Sequence, residues 1–232
     1  MFPDFNIEKS RYERKFVVDE MNYPGIYQQV RMHPAAFREI YEPRYINNIY
    51  LDTNELDFYF DNVSGKGSRK KARIRWYGDL FGNIKKPVLE FKMREGMLGN
   101  KISFPLSPFI LNNEFTFETL KKVFESSDLP DWTYQVLMKL RPALLNRYKR
   151  KYTLNFEGDF RLTLDTELSY YSIGMNNNSF MKNFKSDDVI VELKYDYHNN
   201  DKATQITNKL PFRLTKSSKY VNGIDFMNYM LT

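Results

Sequence analysis

The sequence predicts an antiparallel α+β fold. Segments in which polar and apolar residues alternate recur along the chain, helical patterns fall in groups between them, and few βαβ alternations appear. Tyr12 to Val18, Arg69 to Tyr77, Val88 to Met93, Arg147 to Phe156, Phe160 to Leu168 and Val189 to Tyr195 alternate and read as strands. Helices are expected at Pro34 to Ile40, where proline suits the first turn, and at Thr116 to Ser126, where Phe117, Leu120, Val123 and Phe124 share a face. A further helix is expected from Trp132 to Leu145. Its Pro142 would kink or end it, because proline removes a donor and clashes with the preceding turn.

With 232 residues, 42% of them hydrophobic, the chain can bury a full core in one domain, taken as residues 1–232. No repeat, linker or low-complexity tract divides it, although Asn176, Asn177, Asn178 and Ser179 make one polar loop. The absence of cysteine excludes a disulfide scaffold, thiolate catalysis and Cys-based metal sites. His33 precedes Pro34 and His198 precedes Asn199, so surface or capping roles are expected for both. No stretch approaches the roughly 20 apolar residues of a membrane span, and the first residues lack the apolar run of a signal peptide. A soluble, cytoplasmic chain is the expectation. The net charge of +6 points to an anionic partner only if the charges are gathered.

They are gathered. Side chains two apart on a strand share a face, so Arg69, Lys71, Arg73 and Arg75 form one stripe opposite Ala72, Ile74 and Trp76. Glu90 and Lys92 oppose Leu89 and Phe91; Glu192 and Lys194 oppose Val191 and Leu193; Arg161, Thr163 and Asp165 oppose Leu162 and Leu164. For any strand alone, an antiparallel sheet with one wet face explains the pattern. Taken together, a nearly pure cationic stripe with Glu beside Lys on other strands points to a shared lumen if the sheet closes. Guanidinium and ammonium groups there would bind phosphate oxygens, and the few carboxylates would hold Mg²⁺ or Mn²⁺.

Seven ordered pieces carry a resemblance: Tyr12-Glu13-Arg14-Lys15, Asn48-Ile49-Tyr50-Leu51-Asp52-Thr53, Arg73-Ile74-Arg75-Trp76-Tyr77-Gly78, Leu89-Glu90-Phe91-Lys92, Leu164-Asp165-Thr166-Glu167-Leu168, Val191-Glu192-Leu193-Lys194 and Ser218-Lys219-Tyr220. From about Tyr12 to Gly223 the chain resembles the VTC domain, the catalytic domain of the vacuolar transporter chaperone polyphosphate polymerases, in the triphosphate tunnel metalloenzyme superfamily. The resemblance implies a closed eight-stranded antiparallel β-barrel with helices packed outside and phosphates bound within. Lys15, Arg73, Arg75, Lys92, Arg150, Arg161 and Lys219 match the family's phosphate-binding cations, with Lys15, Arg73, Arg75, Lys92 and Lys219 as the catalytic set. Ser218 matches the serine beside the last of them, Lys101 corresponds more loosely, and Lys71 and Lys194 share the same polar faces. Glu192 matches the metal ligand, with Glu90 and Glu13 as further candidates for Mn²⁺ or Mg²⁺. Arg11 departs from the superfamily's Glu-x-Glu-x-Lys first strand and weakens a two-metal triphosphatase reading. The sensing domain and membrane helices often fused to the eukaryotic enzymes are not in this sequence, and vacuolar translocation is not inferred.

The resulting expectation is a metal-dependent polyphosphate polymerase that transfers the γ-phosphate of ATP to a growing polyphosphate in a tunnel open at both ends. A triphosphatase of the same fold and a non-catalytic polyanion binder are the alternatives; nucleic acid is disfavoured because Glu90 and Glu192 among the cations add nothing to its binding. Glu13, Asp165 and Glu167 stand equally as cross-strand partners of cations or as metal contacts. Asp52 and Thr53 are expected to end a strand and cap a turn.

Overall fold

The computed structural model describes residues 5–229 apart from 9, 19–22, 177 and 181–182, so Asn177 of the polar loop lies outside the described residues. Along the chain run β1 (Arg11–Val18), α1 (Tyr23–Arg31), β2 (Arg38–Asp52), α2 (Asp57–Val63), β3 (Ser68–Tyr77), β4 (Gly82–Ile84), β5 (Val88–Glu95) and β6 (Leu98–Pro105). There follow β7 (Phe109–Leu111), α3 (Phe117–Glu125), α4 (Asp131–Leu137), β8 (Arg141–Leu154), β9 (Phe160–Tyr171), β10 (Asn183–Ser186), β11 (Val189–Asp196), α5 (Asn200–Thr207) and α6 (Lys219–Tyr229). The fold is α+β and its ladders are antiparallel. No helix among the described residues is long and apolar enough to cross a membrane.

The main sheet has nine strands in the order β10-β9-β11-β1-β6-β5-β3-β2-β8, and β8 pairs back onto β9, so eight strands form a ring of ladders. Its seams are unequal: β1 and β11 pair over eight residues, whereas β1 meets β6 only at Arg11↔Gly99 and Tyr12↔Leu98. The ninth strand, β10, lies on β9 beyond the ring, and β4 and β7 make a separate two-stranded sheet.

Period-two alternation puts the apolar residues of these strands outside, where helices cover them. Ile49, Ala72, Ile74, Leu89, Phe91 and Leu145 pack with Leu120, Val123, Phe124 and Leu137 from α3 and α4. Phe16, Leu162, Leu164, Val191 and Leu193 pack with Ile26 and Val30 of α1 and Ala203 of α5. Each fully buried Leu, Ile, Val or Phe contributes about 1.5–3 kcal/mol, so these two outer cores hold the ring closed from outside. Helix α3 starts where expected: Thr116 accepts a hydrogen bond from the Thr119 amide at 3.2 Å, an N-cap.

A third apolar cluster lies on the inward face. Ile46, Tyr50, Leu144, Leu168, Tyr170 and Ile190 surround Tyr220, Ile224 and Met227 of α6, so this helix fills one end of the ring. Close approach requires Gly223: a Cβ there would stand 2.3 Å from Leu144 and 2.6 Å from Tyr170. The expectation of a passage open at both ends is therefore corrected, since an apolar plug occupies one of them.

Two expected helices are corrected as well. Instead of a helix at Pro34 to Ile40, the chain turns, with Ala36 at φ +50°, and enters the long strand β2 at Arg38. A left-handed residue cannot continue an α-helix, and pairing of β2 with β8 decides the rest. The helix expected from Trp132 to Leu145 ends at Leu137, and Pro142 lies in the first residues of β8, where a missing N–H is tolerated at a strand start. His33 is buried, its Nδ1 accepting from the Ala35 amide at 3.0 Å and its Nε2 lying 2.9 Å from the Ile206 carbonyl, a structural bridge. Asp52 is buried and does cap: it accepts hydrogen bonds from the amides of Thr53, Phe58 and Tyr59 at the start of α2, and from the Tyr220 hydroxyl at 2.5 Å.

Candidate active site

The polar faces converge inside the ring, beside the α6 plug. One cavity is lined by Lys15 on β1, Tyr50 on β2, Lys71, Arg73 and Arg75 on β3, Lys92 on β5, Tyr148 and Arg150 on β8, Glu192 and Lys194 on β11, and Ser218 and Lys219 at the start of α6. The hairpin between β5 and β6 turns on Gly96, at φ +57°, and sets Lys101 opposite Lys92.

Four carboxylates, Glu13, Glu90, Asp165 and Glu192, hold these cations in place. Glu90 accepts Nε of Arg73 at 2.7 Å and Nζ of Lys101 at 2.7 Å, with Arg75 at 3.7 Å. Glu13 takes Lys92 on both oxygens at 2.7 Å and has Lys194 at 3.7 Å. Asp165 takes Arg150 on both oxygens and Lys219 at 2.5 Å. Glu192 is bracketed by Lys194 at 3.1 Å, Arg150 at 3.3 Å and Lys15 at 3.4 Å. Arg75 is steered by Asn48 at 3.0 Å and by the Tyr148 hydroxyl at 3.2 Å, and Asn48 in turn donates to Asn146 at 2.8 Å.

Nine cations, Lys15, Lys71, Arg73, Arg75, Lys92, Lys101, Arg150, Lys194 and Lys219, thus share four carboxylates. The excess shows in their proton affinities. Burial lowers the Lys71 pKa well below its ordinary value, and Lys15, Lys92, Arg73 and Arg69 add repulsion. Lys71 donates to the Ser218 hydroxyl at 2.7 Å, a neutral partner. Lys92 is lowered to about 8 by burial and by Lys15 and Lys194, in spite of Glu13. Burial would raise the carboxylates, but the cations win: Glu13 falls to about 2 under Lys92, Lys194 and Lys15, and Glu192 is held well below the usual range by Lys194, Lys15, Arg150 and Lys219. The Tyr148 phenol, which burial alone would raise, is drawn down to about 8 by Arg150, Arg75 and Lys219. An anion entering this space would relieve the repulsion among like charges in a low-dielectric interior.

Of the residues singled out from sequence, Lys15, Lys71, Arg73, Arg75, Lys92, Arg150, Glu192, Lys194, Ser218 and Lys219 line this cavity. Glu13, Glu90 and Lys101 stand behind it as ion-pair partners. Arg161 is elsewhere: it is exposed and borders a second opening with Arg11, Asp159, Lys194 and Asp196, at the end of the ring away from α6. Tyr50 and Tyr148 were not anticipated, although each shares strand parity with an inward residue, Asn48 and Arg150 respectively. Asp165 proves to be the partner of Arg150 and Lys219, and Glu167, half-exposed, pairs with Lys149 at 3.3 Å away from the cavity.

Among the described residues no three Asp, Glu or His side chains gather around one point. Two of the carboxylates nonetheless stand near each other, each paired with cations. Glu13 and Glu192 lie close enough to repel each other's charge, and Mg²⁺ or Mn²⁺ is commonly held by one or two carboxylates with phosphate oxygens completing the shell.

Residues 10–228 match the VTC domain. Over 147 residues, 53% of this chain, the sequence is 29% identical to subunit 4 of the vacuolar transporter chaperone complex of Schizosaccharomyces pombe, and the matched stretch spans 20% of that protein. Among solved structures, one from Pyrococcus horikoshii OT3 aligns with a TM-score of 0.50 at 14% identity, covering 95% of this chain and 98% of that one. An adenylyl cyclase-type protein of Hippeastrum, described as having a dominant triphosphatase activity, aligns with a TM-score of 0.51 at 14% identity, covering 94% and 95% of the two chains. These two likenesses are likenesses of fold. With the family's pattern matched from end to end of the described ring, the chain belongs to the VTC domain family.

Proposed function

We propose that the ring is a phosphate tunnel and that the chain is a metal-dependent polyphosphate polymerase, moving the γ-phosphoryl group of ATP onto the end of a polyphosphate. The observation that carries this reading is the buried excess of cations over carboxylates, above all Lys71, whose hydrogen bond goes to a hydroxyl. Such an interior calls for a multiply charged anion without reading any base sequence.

In this reading Arg73, Arg75, Lys15 and Lys219 spread over the phosphate oxygens and hold donor and acceptor in line. A terminal phosphate oxygen of the polymer attacks the γ-phosphorus, the bond to the bridging oxygen breaks, and its electron pair leaves on ADP. The acceptor is already an anion, so no general base is required. Guanidinium groups fixed by Glu90 and Asp165 meet the charge that develops on the equatorial oxygens without having to reorient. Glu192, with Glu13 beside it, would hold Mg²⁺ or Mn²⁺, which supplies charge neutralisation on the transferred group when bound.

The second reading is a triphosphatase, and a specific observation favours it: α6 fills one end of the ring, which leaves a growing polymer one exit, past Arg11 and Arg161. The alignment with the Hippeastrum protein supports the same alternative at the level of fold. Purified protein incubated with ATP, Mn²⁺ and a short polyphosphate primer, followed by phosphorus NMR, separates the two. The polymerase reading expects ADP and chain-internal phosphate with little free phosphate. Release of one free phosphate per ATP without polymer would move the function to triphosphatase.

A further inference from the structure

Outside the ring, a groove of about 420 Å³ opens between the turn from α1 to β2, the hairpin from β8 to β9, and α5. Pro34, Ala35, Phe160 and Ile206 give it apolar walls, and Phe156 stands at its edge, 73% exposed. Met32, two residues before Pro34, is 70% exposed. Hydrogen bonds tie the three segments together. The Phe156 amide donates to the Ala35 carbonyl at 3.0 Å, and His33 Nε2 lies 2.9 Å from the Ile206 carbonyl. In the hairpin the buried Asn155 side chain accepts from the Phe160 amide at 2.8 Å and donates to Asp159 at 2.7 Å, while Gly158 takes the turn at φ +82°. The groove is therefore preformed, and a large aromatic ring is held in water beside it, where its burial would be favourable.

We propose that two copies of the chain meet at this face, each Phe156 entering the other's groove about a two-fold axis. A projecting ring beside a groove on one face is self-complementary, because a two-fold rotation carries each onto the other. A segment of some other protein would fill the groove but leave Phe156 without a pocket. Charge points the same way. The chain carries a net charge of +6, which repels a second copy over the surface at large, whereas the lining of the groove holds one carboxylate, Glu157, and one cation, Lys202. Glu157 directly follows Phe156, so the rotation that seats the ring brings this carboxylate to the other copy's Lys202. Within one copy Lys202 stands 3.7 Å from Glu157 and 3.8 Å from Asp159, and Lys202 and Glu157 are both exposed. Exposed pairs contribute little, so exchanging them for pairs between copies costs little. An aromatic anchor seated in a pocket with polar groups around it is how the energetic centre of an interface is built. The proposal is independent of what the ring of strands binds inside.

Sedimentation velocity on the full chain over about 1–100 μM, the range in which a small interface associates, tests this. The wild type should pass from monomer to dimer across that range. Phe156→Asp should weaken the dimer by about 30-fold or more, the scale of one hot-spot side chain, and circular dichroism should show it folded, since the side chain it replaces is already exposed. Glu157→Lys and Lys202→Glu should each dimerise less than the wild type, and a mixture of the two should pair more strongly than either alone, because only the mixed dimer sets opposite charges across both contacts. A wild type that stays monomeric at the highest concentration would overturn the proposal and leave the groove to a segment of another protein. A dimer that Phe156→Asp leaves intact, or a mixture that pairs no better than its components, would overturn it by placing the contact elsewhere.

Discussion

Arg150 on β8 and Asp165 on β9 face each other across the ladder and close a two-armed ion pair, Nε to Oδ1 at 2.5 Å and Nη2 to Oδ2 at 2.6 Å. Lys219, the first residue of α6, adds its ammonium to Oδ2 at 2.5 Å. One buried carboxylate therefore ties two strands and the plugging helix to the cavity, and its removal has consequences for stability as well as for the site.

Asp165→Asn should destabilise the protein by about 3–5 kcal/mol in urea unfolding, because it leaves Arg150 and Lys219 buried without their counter-ion. Burial raises the Asp165 pKa, but Arg150 and Lys219 outweigh it and the folded value is lowered. The stability this group contributes is complete above its unfolded pKa of about 3.9 and is lost as pH falls through the lower folded value. The variant should therefore show a flatter acid limb. An unchanged stability–pH profile would show that the pair contributes nothing net.

Glu192→Gln keeps the shape of the side chain and removes its charge from among Lys15, Lys194 and Arg150. Metal-dependent turnover should be abolished, while tripolyphosphate binding measured in chelator should tighten by about tenfold, about 1.4 kcal/mol. Turnover at the wild-type rate would remove Glu192 from the metal site.

Arg73 and Lys70 are near neighbours on β3 with opposite parity: Arg73 lies opposite Glu90 and Lys70 opposite Met93. Replacing Arg73 with Ala should weaken triphosphate binding by about 1.5–3 kcal/mol, the scale of a charge-assisted hydrogen bond. Lys70→Ala should change it by about 0.5 kcal/mol or less, as surface substitutions do. Calorimetry on both variants checks the pair, and equal losses would show that the cavity is not where triphosphate binds.

Lys92, at about 8, is partly neutral in mildly alkaline solution, and Lys71 is lowered as well. An anion favours their charged forms, so triphosphate binding at pH 8.5 should take up protons, read as a dependence of calorimetric enthalpy on the buffer's ionisation enthalpy. Lys92→Met should reduce the uptake. In the free protein the sign runs the other way: the folded value lies below the unfolded one of about 10.4, so between the two stability rises with pH.

Gly223→Ala forces a methyl group into Leu144 and Tyr170. The overpacking should cost about 1–3 kcal/mol. It should also displace α6 and with it Lys219 and Ser218, so that triphosphate affinity falls although the substituted residue touches no phosphate. Loss of stability with unchanged affinity would mean that the plug and the cavity move independently.

Strand parity was legible in the sequence because it is local. Arg73 and Arg75 had to share a face, Glu192 and Lys194 another, and the apolar residues between them had to seek cover. The pairing of Arg150 with Asp165 was not legible, since it depends on β8 and β9 closing the ring. Parity itself fails at Glu167, where φ is +53° and the ladder shifts register between Arg147 and Lys149. Before that bulge Thr163 and Asp165 face inward; after it Leu168 and Tyr170 do, and they become the apolar wall on which α6 rests. Such a flip is invisible to a period-two count.

The sequence by itself determined the alternating strands, the charges on their inner faces and the family pattern that orders them, because side-chain alternation and residue chemistry need no partner. Tertiary structure alone decided that Pro142 begins a strand and does not kink a helix, that Arg161 stays at the mouth, that Tyr50 and Tyr148 enter the cavity, and that α6 occupies one end of the ring. Each of these depends on which distant segment comes to lie alongside, and long-range pairing and burial outweigh local preference wherever the two disagree.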